Sequence, residues 1–155
     1  MIDLCTLGTG GTMPLPDRAL ASLYVRVGGR AVLVDCGEGT QIGIQRLSWG
    51  IQCIDAILLT HYHADHCSGL PGMLLAITKA GRTAPLHIYG PIGLERVVAG
   101  LRVIAPSLSC PIVLHEIIDD YSPFTAIGLT ITPFPLRHEM PCICLLYTSP
   151  SPRDA

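Results

Sequence analysis

The chain has 155 residues, 49% of them apolar and only 14% charged, with a formal net charge of −2. That is enough chain and enough apolar side chain for one domain with an ordinary core, which excludes disorder over the whole length. No apolar run reaches the roughly 18 residues that span a bilayer, and the basic residues are scattered from Arg18 to Arg153, so neither a membrane span nor a nucleic-acid-gripping patch is expected. Met1-Ile2-Asp3-Leu4 carries no export signal, which makes a cytoplasmic location the expectation. There the seven cysteines, odd in number and without a Cys-x-x-Cys pair, read as reduced, buried thiols and not as a disulfide framework.

Residues 2–7 read as a first strand, followed by the glycine-rich stretch Gly8 to Thr12 and the proline loop Pro14-Leu15-Pro16. A glycine run without a following Lys-Ser/Thr is a weak phosphate-cradling signal, and the plainer reading, a turn between strands, is preferred. Residues 23–27 and 31–34, joined by Gly28-Gly29, have the form of a β-hairpin. Residues 38–48 are a helix candidate. The short apolar run 54–59 suits a strand covered on both faces. A helix is expected from Leu70 or Pro71 to Gly81, then a strand over 86–89. Leu94, Val97, Val98, Leu101 and Ile104 fall on one face of a further helix. Strands over 112–118 and 129–134 follow, the second leading to Leu136-Arg137-His138. This alternation predicts a layered α/β domain. Ser-Pro-Ser-Pro near the end continues neither helix nor sheet, so residues 145–155 read as a non-native or disordered tail.

Chemistry concentrates in Thr60-His61-Tyr62-His63-Ala64-Asp65-His66, directly after the apolar run 54–59. Three imidazoles and a carboxylate at a strand's end are held rigidly enough to converge, and neutral imidazole and carboxylate suit zinc. By alternation His61 and His63 would bind one metal ion, and Asp65 with His66 a second. Asp35 closes a buried strand, where a carboxylate needs partners such as the outer nitrogen of a metal-bound histidine; a plain turn before Gly37 is the other reading. His87 and His115 lie within strand patterns and read as structural.

The spacing His-x-His-x-Asp-His after an apolar strand resembles the signature of the metallo-β-lactamase superfamily. Within it, Val32-Leu33-Val34-Asp35-Cys36-Gly37-Glu38-Gly39-Thr40-Gln41, together with Leu7-Gly8-Thr9-Gly10, Pro14 and Arg18, resembles the ribonuclease Z family. The resemblance covers residues 1–144 and implies the N-terminal half of an αββα sandwich. It also implies a zinc-dependent hydrolase that removes the 3′ trailer from precursor tRNA, with Mn²⁺ or Fe²⁺ left open as alternatives to zinc. The implied ligands are His61, His63, Asp65, His66 and His138, with Asp65 catalytic and Asp35 supporting a metal-bound histidine. The family pattern continues past His138 with a bridging aspartate, a further histidine and a tRNA-gripping arm, none of which the chain shows. The expectation is therefore a chain that holds zinc weakly or at one site and cleaves no tRNA alone, the complete protein being a homodimer. Another hydrolase of the superfamily (thioesterase, lactonase or arylsulfatase-like) and a non-catalytic fragment are the alternatives.

Overall fold

A computed structural model describes residues 1–149. Strand β1 (Ile2–Gly8) pairs antiparallel with β2 (Ser22–Val27), which returns as β3 (Arg30–Val34). Gly28 and Gly29 take φ of +54° and +82°, the left-handed pair that a two-residue hairpin turn requires. From β3 onward the sheet is parallel, through β4 (Ile54–Leu58), β5 (Leu86–Pro91) and β6 (Ile112–Ile117), so that strand order equals chain order across six strands. Helices α1 (Thr40–Leu47), α3 (Leu70–Lys79) and α4 (Leu94–Arg102) connect them, with a single turn α2 (Ala64–Cys67) after β4. A second, antiparallel sheet is built from β7 (Phe124–Ala126), β8 (Leu129–Leu136) and β9 (Cys142–Thr148), with β8 in the middle.

The pleat sorts the core into two layers. Leu33 and Ile57 face the helices and pack with Ile44, Leu70, Met73, Leu74, Ile77 and Leu94. Their neighbours Val32, Val34, Ala56 and Leu58 face the other way and pack against Leu129, Ile131, Ile143 and Leu145 of the small sheet. Burial on both faces explains why β3 and β4 read as continuous apolar runs. The layering is helix, sheet, sheet, which is the mixed α/β class expected. Part of the large sheet's inner face is open: Leu4 stands opposite buried Val25 yet is 63% exposed.

Several boundaries differ from the sequence reading. α1 begins at Thr40 and not 38, because Gly39 at φ +82° is the residue before the first helical turn. α4 ends at Arg102, and Val103 and Ile104 are exposed instead of continuing the buried stripe. The expected boundary at residue 144 falls inside β9: residues 145–148 continue the strand, since Ile143 and Leu145 alternate inward onto the core and pair with Pro135 and Pro133. The prolines of the supposed tail lie at 150 and beyond, outside the described residues. β8 itself tolerates Pro133 and Pro135 because pairing with β7 reaches no further along β8 than Ile131, leaving those positions with a neighbour strand on one side only. Among the described residues no helix is long and apolar enough to cross a membrane.

Candidate metal centre

The parallel strands end together, and the site residues follow from those ends. Val34 pairs with Leu58, so Asp35 and Thr60 follow the same end of two adjacent strands. The register of β8 brings His138, two residues past the strand, to the same place, and Ile143 N–H at the start of β9 donates to the Thr60 carbonyl at 2.9 Å. The three histidines His61, His63 and His138 offer ligand atoms that all lie within 4.8 Å of one another. His61 Nε2 lies 3.1 Å from His63 Nδ1, and His138 Nε2 lies 3.2 Å from that same nitrogen. Two nitrogens bound tetrahedrally to zinc stand about 3.3 Å apart, given bonds of about 2.0–2.1 Å. The donor set therefore fits a metal ion, and the three residues form a group able to hold one.

A second cluster adjoins it. His66 Nδ1 donates to Asp35 Oδ2 at 2.7 Å, and His66 Nε2 faces Asp65 Oδ2 at 3.6 Å. The hydrogen bond to Asp35 holds the His66 imidazole above its usual pKa, against the opposing effect of burial. His61 is shifted the other way, first by burial and then by the neighbouring His66 charge, so its neutral, ligating form is favoured. Asp65 is held below the usual carboxylate range, chiefly by the backbone N–H of Thr12, which donates to Oδ2 at 2.9 Å.

Asp35 is buried, with φ of +57°, a left-handed conformation that an aspartate adopts more readily than most residues. Besides His66 it accepts from the Thr60 N–H at 2.8 Å and from the Thr60 hydroxyl. Close backbone approach brings these turns together. Gly37 is not in a left-handed conformation; a Cβ there would stand 2.5 Å from Leu20 Cβ and 2.6 Å from the Asp65 carbonyl oxygen. Its role is space.

Three contributors escaped the sequence reading. The stretch Gly8 to Thr12, read as a plain turn, reaches the site through the Thr12 amide. The Tyr62 hydroxyl anchors the histidine loop by donating to the Pro91 carbonyl, and a Cβ on Gly90 would come within 2.7 Å of the Tyr62 hydroxyl oxygen. Thr60, quoted only as the residue before His61, contacts both Asp35 and His61. Nothing in spacing marks Thr12 or Tyr62, while Thr60 at least stands inside the motif. His87 and His115 lie away from the centre and pair with each other, Nδ1 to Nε2 at 2.9 Å, in a stack with Tyr89 and Phe124. Burial pushes the Cys36 thiol up to about 12 and the Cys67 thiol up to about 11, which makes them inert packing groups beside the centre.

In sequence and fold the chain is similar to known proteins. A Ribonuclease Z of Clostridium kluyveri is 49% identical over 143 residues, an alignment covering 92% of this chain and 47% of that protein. One of Lachnoclostridium phytofermentans is 47% identical over 148 residues, covering 96% of this chain and 48% of its own length. The chain thus spans about half the length of the relatives it matches. The crystal structure of human tRNase Z, short form, superposes with a TM-score of 0.82 at 28% identity, over 96% of this chain and 65% of that one. Together with this likeness of fold, a match to the family description that runs from residue 16 to residue 139 makes the chain a member of the metallo-beta-lactamase superfamily.

Proposed function

We propose that the chain is the N-terminal portion of a zinc-dependent phosphodiester hydrolase that removes the 3′ trailer from precursor tRNA by endonucleolytic cleavage. The observation that carries this reading is the convergence of His61, His63 and His138 at the strand ends of a chain so similar to proteins called Ribonuclease Z. In the same reading the complete protein is a cytoplasmic homodimer.

His61, His63 and His138 would hold one zinc ion, and Asp65 with His66 would contribute to a second. Bound there, zinc supplies a water of lowered pKa and polarises a phosphoryl oxygen. The chain's own residues do the rest. Asp65 is a carboxylate at neutral pH, and the Thr12 amide, donating to Oδ2 at 2.9 Å, fixes its orientation, so it is placed to accept or orient the proton of the attacking water. Asp35 fixes the His66 ring by taking its Nδ1 proton in a hydrogen bond, which leaves Nε2 directed at Asp65. The buried face of His61 keeps that ring neutral.

The test uses the full-length gene product with a precursor tRNA, a chromogenic phosphodiester and a thioester as parallel substrates. The proposal expects one endonucleolytic cut that yields a free 3′ hydroxyl on the tRNA, abolished by chelation and by His63→Ala. Thioester turnover with intact precursor tRNA would overturn it in favour of another hydrolase of the superfamily.

A further inference from the structure

Thr60 ends the apolar run of β4, and its contacts connect the two ligand clusters. Its backbone N–H donates to Asp35 Oδ1 at 2.8 Å, and its hydroxyl oxygen lies 3.0 and 2.9 Å from Oδ1 and Oδ2 of that carboxylate. The same hydroxyl oxygen lies 3.0 Å from His61 Nδ1. A carboxylate accepts and does not donate, so the one hydroxyl proton goes to Asp35. Thr60 Oγ1 is then left to accept, and the partner it accepts from is His61 Nδ1–H. That proton assignment bares His61 Nε2, the atom that faces His63. Asp35 Oδ2 accepts from His66 Nδ1–H as well, which fixes that ring with Nε2 beside Asp65.

We infer that Thr60 is a positioning residue whose hydroxyl sets the tautomer of His61 and ties both ligand clusters to the single carboxylate of Asp35. The inference rests on the metal reading proposed above and deepens it, since a ligand histidine binds through whichever nitrogen its outer partner leaves bare. Valine at this position would keep the shape and strand preference of threonine but leave His61 Nδ1 without a partner. Serine would keep the hydroxyl.

The test compares the 155-residue chain with Thr60→Val and Thr60→Ser. In the metal-free proteins, ¹⁵N-histidine spectra report which ring nitrogen of His61 carries the proton. The expected result is Nδ1–H in the parent and in Thr60→Ser, and a move toward Nε2–H in Thr60→Val. A zinc titration against a chromophoric chelator should show affinity falling about 10- to 100-fold in Thr60→Val and staying close to the parent in Thr60→Ser. An Nε2–H tautomer in the parent overturns the inference whatever the variants do. So does unchanged zinc affinity in Thr60→Val, or an equal loss in both variants. A parent that binds no zinc but keeps Nδ1–H at His61, displaced in Thr60→Val, sinks the metal reading while leaving the assignment of Thr60 intact.

Discussion

Gly69 joins the histidine loop to α3, and its φ of −79° suits any residue, so the demand for glycine there is a demand for space. A Cβ at this position would stand 2.0 Å from the Gly37 carbonyl oxygen, 2.7 Å from the Gly37 carbonyl carbon and 2.9 Å from the Cys36 carbonyl oxygen. Carbon and oxygen rest about 3.3 Å apart at closest ordinary contact, so the two backbones must separate by on the order of 1 Å. These atoms belong to the main chain and have no rotamer to escape into. The same contact carries two hydrogen bonds, Gly69 N–H to the Cys36 carbonyl at 2.9 Å and Cys36 N–H to the His66 carbonyl at 2.7 Å. Overpacking costs about 1–3 kcal/mol and each stretched hydrogen bond about 1 kcal/mol, so Gly69→Ala should lose about 3–5 kcal/mol. Gly100→Ala is the control: it lies in α4 with no atom within 4 Å of its Cβ, and should gain about 0.5–1 kcal/mol from helix propensity alone. Urea unfolding of the metal-free proteins, followed by circular dichroism, measures both. Gly69→Ala within about 0.5 kcal/mol of the parent, a difference expected only of sites free of such contacts, would refute the reasoning.

Two further outcomes follow from groups remote from the centre. Arg82 is buried and donates to Asp55 Oδ1, to the Gln52 carbonyl and to the carbonyls of Ala84 and Pro85; Arg82→Met should cost about 3 kcal/mol in urea unfolding, and a loss below about 1 kcal/mol contradicts this. His115 is held below its ordinary pKa of 6.5, first by burial and then by His87, so the unfolded chain takes up a proton on acidification that the folded chain resists. Stability supported by neutral His115 is therefore full above pH 6.5 and declines as pH falls below it. His115→Phe, which retains a ring against Tyr89, should flatten that decline between pH 7 and 5.5, and an unchanged slope would contradict the assignment.

The positions of the elements and of the histidine cluster were readable because they depend on local pattern. The run 54–59 announces a buried strand, and four ligand-type residues within six positions after it leave few alternatives. What lay hidden depends on register and on backbone approach. The short β7 has only three residues and no alternation to detect. β9 has no counterpart in the sequence reading, where the prolines at 150 and 152 coloured the segment from Leu145 on, although Leu145 is a core residue. The Thr12 amide reaches Asp65 across 53 positions, and an N–H donor has no residue type to betray it. Nothing in the sequence marks Gly37 and Gly69 as positions that need space, whereas the fold uses them to press the Asp35 turn against the histidine loop.

The central claim, that His61, His63 and His138 together hold a metal ion, is tested most directly by zinc content per chain after dialysis of the purified 155-residue protein. The expected result is about one zinc ion per chain in the parent and in His87→Ala, and almost none in His63→Ala, whose Nδ1 lies within 3.2 Å of both partner nitrogens. A parent chain without zinc, or a His63→Ala variant that retains it, would contradict the claim.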